Sequence, residues 1–108
     1  MSERIFVSRT TGAVALSTTV SPAAECQILS VSIHLGSASA TAENLTITLD
    51  SLGGAAYDVV LDAQDMNTVA DYIWQPSTPF FLANGDALAL AWANSNTETY
   101  GLEVRWKR

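Results

Sequence analysis

Cationic side chains are missing from almost the whole length of this chain. Arg4 and Arg9 stand near its start and Arg105, Lys107 and Arg108 at its end; from Thr10 to Val104 there is no Lys or Arg. The net charge is -6. A protein that grips duplex DNA displaces counterions with a basic footprint, so nucleic acid is excluded as a partner. Charged residues of both signs make up only 15% of the 108 residues, against about 25% in an ordinary soluble domain. There is one cysteine, Cys26, so no intrachain disulfide can form. Small secreted domains usually depend on several, which weighs against secretion. No apolar run approaches the roughly 20 residues that span a bilayer, so no membrane is expected. The run Ala13-Val14-Ala15-Leu16 is broken by Ser17, Thr18 and Thr19, well short of the about 7–15 apolar residues of a signal peptide.

Separation of the charges has a consequence. The acidic body cannot form a salt bridge within itself, and any Lys or Arg ion pair must involve a terminal segment. Exposed pairs contribute only about 0–1 kcal/mol, so stability is not what they supply. One reading is a solubilising acidic surface. The other is that the basic ends of one copy meet the acidic body of another copy, or another acidic partner; such fields orient association more than they strengthen it. Arg4, Arg9, Arg105, Lys107 and Arg108 are therefore candidate interface residues.

Catalytic chemistry is equally sparse. Nucleophilic catalysis needs a nucleophile within reach of a base. The single histidine, His34, and Cys26 are eight residues apart; on one strand that is roughly 26 Å. No nucleophile-elbow motif occurs. One His and one Cys do not make a zinc site, and the spacing of Asp58, Asp62, Asp65 and Asp71 does not match a calcium loop. Asp58 and Asp62, on one strand face, would stand about 13 Å apart, too far for a glycosidase pair. Gly53-Gly54 lacks the lysine and helix of a phosphate loop. The expectation is a protein without cofactor, metal or enzymatic activity.

What the sequence does contain is alternation with period two, the signature of half-buried strands. Leu29, Val31, Ile33 and Leu35 alternate with Ser30, Ser32 and His34. Leu45, Ile47 and Leu49 alternate with threonines. Tyr57, Val59 and Leu61 form a third set, Leu88, Leu90 and Trp92 a fourth, and Tyr100, Leu102, Val104 and Trp106 a fifth. Val14–Val20 and Val69–Trp74 are weaker candidates. Ser21-Pro22, the stretch from Gly36 to Glu43, Gly53-Gly54, Pro76 with Pro79, Asn84-Gly85-Asp86 and Asn94-Ser95-Asn96 supply turn and loop chemistry between them. The pattern predicts an all-β fold: one antiparallel sandwich, jelly-roll-like, of about seven to eight strands. It would occupy residues 13–108, with residues 1–12 set apart as an N-terminal arm and one helical turn at Ala63–Thr68.

Two features bear on contacts. Tyr57, Trp92, Tyr100 and Trp106 share the core parity of their neighbours, whereas Tyr72, Trp74, Phe80 and Phe81 are less determined and, if exposed, would be interface anchors. Opposite Leu88, Leu90 and Trp92 stand only alanines, Ala87, Ala89, Ala91 and Ala93. Alanine is a poor strand former, so a methyl-only face suits close approach of another layer, from this chain or a neighbouring subunit.

The segments Asn44-Leu45-Thr46-Ile47-Thr48-Leu49-Asp50, Ala56-Tyr57-Asp58-Val59-Val60-Leu61 and Tyr72-Ile73-Trp74-Gln75-Pro76 resemble small structural proteins of tailed bacteriophages. So does Phe81-Leu82-Ala83-Asn84-Gly85-Asp86 leading to Tyr100-Gly101-Leu102-Glu103-Val104. These are proteins found as capsid decoration (cement) proteins or tail components. The resemblance spans roughly residues 28–106 and carries no catalytic residues. It implies a virion protein assembled in the host cytoplasm that binds the major capsid protein or other virion proteins without covalent links, as a homo-oligomer such as a trimer. A glycan-binding sandwich, or a tail or baseplate component, is the alternative. Ala, Ser and Thr together supply 38 of 108 residues, a composition compatible with an assembly protein.

Overall fold

Strand alternation becomes two antiparallel sheets packed face to face. The computed structural model describes residues 4–108. Its strands are β1 (Ile5–Gly12), β2 (Leu16–Val20), β3 (Cys26–Leu35), β4 (Asn44–Asp50), β5 (Val59–Asp65), β6 (Asp71–Trp74), β7 (Phe80–Leu82), β8 (Ala87–Trp92) and β9 (Tyr100–Lys107). The first sheet has the order β1-β9-β3-β6, and β7 shares the far side of β3 with β6; the second has the order β2-β8-β4-β5. The all-β sandwich expected from periodicity is therefore the fold, with β1 and β7 added to the seven strands read from the sequence.

The core lies between the sheets. Val31, Ile33, Leu102, Val104 and Trp106 meet Leu45, Ile47, Leu88, Leu90 and Trp92 there, all buried. Each strand has an apolar side to remove from water and a polar side to leave in it, so stacking two such sheets is the arrangement that buries both apolar faces.

Two bulges break the alternation. In β3, pairing with β9 shifts between Ile28 and Ser30, so Leu29 is the extra residue. Cys26 and Ile28 are buried before it, and Val31, Ile33 and Leu35 after it. The sequence reading that put Leu29 on the core face is thus corrected: Ile28 occupies that position, and Leu29 is only half-buried. In β5, pairing with β4 shifts at Leu61, between Val60 and Asp62. Bulges of this kind bend an edge strand and blunt it against further pairing.

The remaining differences are at the ends of strands. Residues 1–3 of the expected arm lie outside the described residues, but residues 5–12 are β1, paired with β9 along its whole length. The expected helical turn at Ala63–Thr68 is instead the end of β5, followed by Met66, which is fully buried. A single 3-10 turn forms at Ala55–Tyr57. Tyr57 consequently leaves the strand and is 65% exposed rather than in the core. Of the alanines along β8, Ala87 is buried, whereas Ala91 and Ala93 are exposed with no layer of this chain over them.

Most of the acidic body has a local task. Asp58 accepts the Ser51 N–H at 2.8 Å, Asp65 the Asn67 N–H at 2.9 Å and Glu43 the Ser95 N–H at 3.0 Å. Asp86 accepts the N–H groups of Leu52 at 3.0 Å and Ala83 at 3.1 Å. A loop needs acceptors for backbone donors that no ladder satisfies, and carboxylates are the strongest available. The surplus of acids is thus partly a set of loop fasteners.

Candidate functional site

The antiparallel pairing of β1 with β9 brings the two basic ends of the chain together. On the solvent side of the first sheet the strands align in rungs. One runs Arg9, Glu103, Ser32, Ile73, and the next Thr11, Gly101, His34, Asp71. Towards the other end, Val7 pairs with Arg105 and then Ser30, while Ile5 pairs with Lys107, Gln27 and Phe81. Arg9, Arg105 and Lys107, three of the five cations, therefore share one face.

Glu103 is the hub of that face. It accepts from Arg9 Nε at 2.7 Å on one carboxylate oxygen and from Arg105 Nη2 at 3.0 Å on the other. Arg9 first and Arg105 second hold its carboxyl below the usual 4.5. One negative charge shared between two guanidiniums leaves the group cationic overall. These exposed bonds fix the direction of the guanidiniums more than they stabilise the fold.

A groove of about 520 Å³ crosses the same face, lined by residues of both rungs. Its depression follows from Gly101: no atom lies within 4 Å of where a Cβ would stand there. At one wall His34 Nδ1 lies 2.5 Å from Asp71 Oδ1, with both side chains more than 70% exposed. A carboxylate orienting an imidazole is half of a catalytic arrangement. Among the described residues, however, no hydroxyl is hydrogen-bonded to His34. The pair is open to water. Among the described residues no three His, Cys, Asp or Glu side chains are gathered to hold a metal ion.

Of the apolar part of the face, the sequence names Phe81 as an anchor if exposed, and misses Ile5, Val7 and Ile73. Ile5, Val7, Ile73 and Phe81 are all exposed on it, Phe81 at 67%. Their signal was a phase error: each is an apolar residue on the polar parity of its strand. The other three aromatics singled out point inward. Tyr72, Trp74 and Phe80 pair with Ile33, Val31 and Ile28 and pack half-buried against the core. The condition for their acting as anchors, exposure, is not met, because strand parity gives the outward positions to Ile73 and Phe81.

Arg4 and Arg108 do not join this face. Their guanidinium carbons stand 5.3 Å and 4.5 Å from the centre of the Phe6 ring, which stacks on Trp106. Arg108 also donates to the Pro22 carbonyl at 3.1 Å. Cation–π contact of this sort closes the end of the core and uses the charge locally.

Tyr72 has a separate task. Its phenol donates to Asp62, joining β6 of the first sheet to β5 of the second. Burial, and then this bond to a carboxylate, push the phenol from the usual 10.0 up to about 12.

Comparison with known proteins adds no relative: neither a scan of protein-family models nor a search of curated proteins finds a match for this chain.

Proposed function

We propose that this chain is a non-catalytic structural protein of a phage virion, most simply a decoration protein that reinforces the capsid, and that the outer face of the first sheet is its contact surface. One observation carries the reading: three cations and four exposed apolar side chains share that face in a chain whose net charge is -6. Monomeric surfaces seldom cluster apolar residues without a partner to cover them. The cations that stand between them, Arg105 and Lys107 on β9 with Arg9 on β1, select an acidic partner and orient its approach. The likeness of the strand sequences to small virion proteins supplies the biological setting, in which many copies present one complementary surface.

The partner is an acidic, partly apolar surface of a virion protein, a second copy of this chain included. Co-sedimentation with purified virions tests the proposal, using the wild-type chain and Arg105→Glu. Wild-type chain should travel with the particles at low salt and be largely released at about 1 M salt, where the Debye length falls to about 3 Å. The variant should bind at least about tenfold more weakly. Absence of the chain from the particle fraction would overturn the virion reading. Binding indifferent to salt and to the variant would remove the cationic face from it.

The glycan-binding alternative draws on the groove with its polar rungs. It lacks the stacking platform it was built on, since Tyr72 and Trp74 are turned towards the core.

A further inference from the structure

We infer that the occupant of the first sheet's outer face is a second copy of this chain, which inserts the tip of its β4–β5 hairpin. The inference rests on reading that face as an assembly surface, and it does not depend on the virion setting. Its starting point is where the exposed apolar side chains fall. Among the described residues, eight of the nine large exposed ones form two groups. Ile5, Val7, Ile73 and Phe81 are on the face; Leu52, Tyr57, Val59 and Val60 are at the hairpin.

The tip is built to hold its apolar groups outward. Leu52 is 73% exposed, yet its backbone N–H is fastened to Asp86 at 3.0 Å and its side chain rests on Gly85. Tyr57 lies against Gly53, within a turn closed by Asp58 on the Ser51 N–H. Gly54 and Gly85 take φ of 104° and 98°, values that glycine adopts without strain. A rigid loop that presents an aromatic and a leucine loses little entropy when it docks. Aromatic residues are also the commonest interface anchors.

Charge pairs the two groups. The face carries Arg9, Arg105 and Lys107 against Glu103 and Asp71, one cation in excess, beside its apolar residues. The tip carries Asp50, Asp58 and Asp86 beside its own, with no cation between Thr10 and Val104 to offset them. Two tips would repel each other and two faces, each with one cation in excess, gain nothing from pairing, whereas a face and a tip attract. One copy cannot join its own pair, because the face belongs to the first sheet and the tip to the far end of the second. The contact pairs unlike patches, so it closes as a twofold dimer where each tip reaches the other copy's face, and otherwise as a larger ring or a filament. Gly101 leaves the face a depression for the tip to enter.

Sedimentation velocity on the full chain tests this, from about 10 μM to about 1 mM at low salt. The wild-type chain should grow in mass with concentration and shrink again at about 500 mM salt. Arg105→Glu disables the face, and the double variant Leu52→Ser with Tyr57→Ser disables the tip; circular dichroism verifies that both are folded. Each alone should associate at least about tenfold more weakly. Mixed in equal amounts, they should form a heterodimer and nothing larger, since only one intact tip and one intact face remain. A wild-type chain that stays monomeric at about 1 mM overturns the inference and leaves attachment to another virion protein untouched. A tip variant that assembles like wild type also overturns it, as does a mixture that fails to dimerise.

Discussion

Tyr72 and Asp62 join the two sheets at the side of the sandwich where β6 and β5 are the outermost strands. The bond has a pH signature. The folded chain holds the phenol proton more tightly than the unfolded chain does, because the phenol is raised from 10.0 to about 12. Its contribution to stability is therefore complete below pH 10 and is lost as pH rises towards 12. Replacement by phenylalanine, Tyr72→Phe, should cost about 1 kcal/mol at neutral pH, a modest value for a half-buried bond that water also reaches. Urea unfolding at pH 8 and at pH 11 measures both effects. The variant should lose less between the two pH values than the wild type does.

Gly85 is irreplaceable for two reasons at once. Its φ is +98°, and an added methyl would stand 2.6 Å from Leu52 Cδ2. Gly85→Ala should therefore destabilise by about 2 kcal/mol, combining backbone strain with displacement of Leu52. At Gly54 φ is 104° and ψ 177°, a region that essentially only glycine occupies, but nothing lies within 4 Å, so Gly54→Ala should cost about 1–2 kcal/mol from backbone strain alone. Thermal unfolding of the two variants separates backbone strain from collision. Equal losses would show that Leu52 moves aside freely.

At Glu103 the expectation concerns titration. Its carboxyl should titrate below 4.5 by carbon-detected NMR. Arg9→Gln should move it upward more than Arg105→Gln does, following the order of the two hydrogen bonds. Any stability linked to this group is present above its unfolded value and disappears as pH falls through the lowered one. A titration unchanged in both variants would mean that the guanidiniums do not rest on Glu103 in solution.

The thiol of Cys26 is buried at 4% exposure, and burial raises it from the usual 9.0 despite the nearby Arg108. Reactivity belongs to the thiolate and requires access. In native protein at pH 8 an aromatic disulfide reagent should therefore label Cys26 at least about a hundredfold more slowly than in urea. Rapid labelling of native protein would place the N-terminal end of β3 in an open state.

Where burial and alternation coincide, the strands were legible. Tyr100, Leu102, Val104 and Trp106 keep strict alternation and are all buried in β9, and Leu88, Leu90 and Trp92 do the same in β8. Bulges are another matter. At Leu29 and Leu61 one unpaired residue reverses the parity of the rest of the strand, and an apolar residue in a bulge looks like any other. β1 went unread because its pattern is inverted. Ile5 and Val7 face water, while Ser8 and Thr10 stand opposite the buried Val104 and Leu102. For the interaction face, the charges were visible as a list of residues at two ends of the chain. Their convergence depends on a pairing between first and last strands that no local pattern announces. Ile73 is hidden in the sequence by the larger Tyr72 and Trp74, since size is apparent there and outward parity in a short strand is not; Phe81 is named with Phe80, and only the pairing with Gln27 and Ile28 shows which of the two faces water.

The first strand has to wait for the last. Arg9 and Glu103 are 94 positions apart, and the ladder between them closes almost the whole chain into one loop. Closing so long a loop is entropically costly and slow compared with forming hairpins. On its inward side β1 offers one large apolar group, Phe6, so little burial rewards an early arrival. In a chain made from its N-terminus, the remaining strands can pack before β1 docks. Arg105 and Lys107 are then already in place, and Arg9 arrives to complete the cationic face afterwards. Completion of the proposed contact surface thus comes at the end of folding, and association through it would wait until the sandwich beneath is formed.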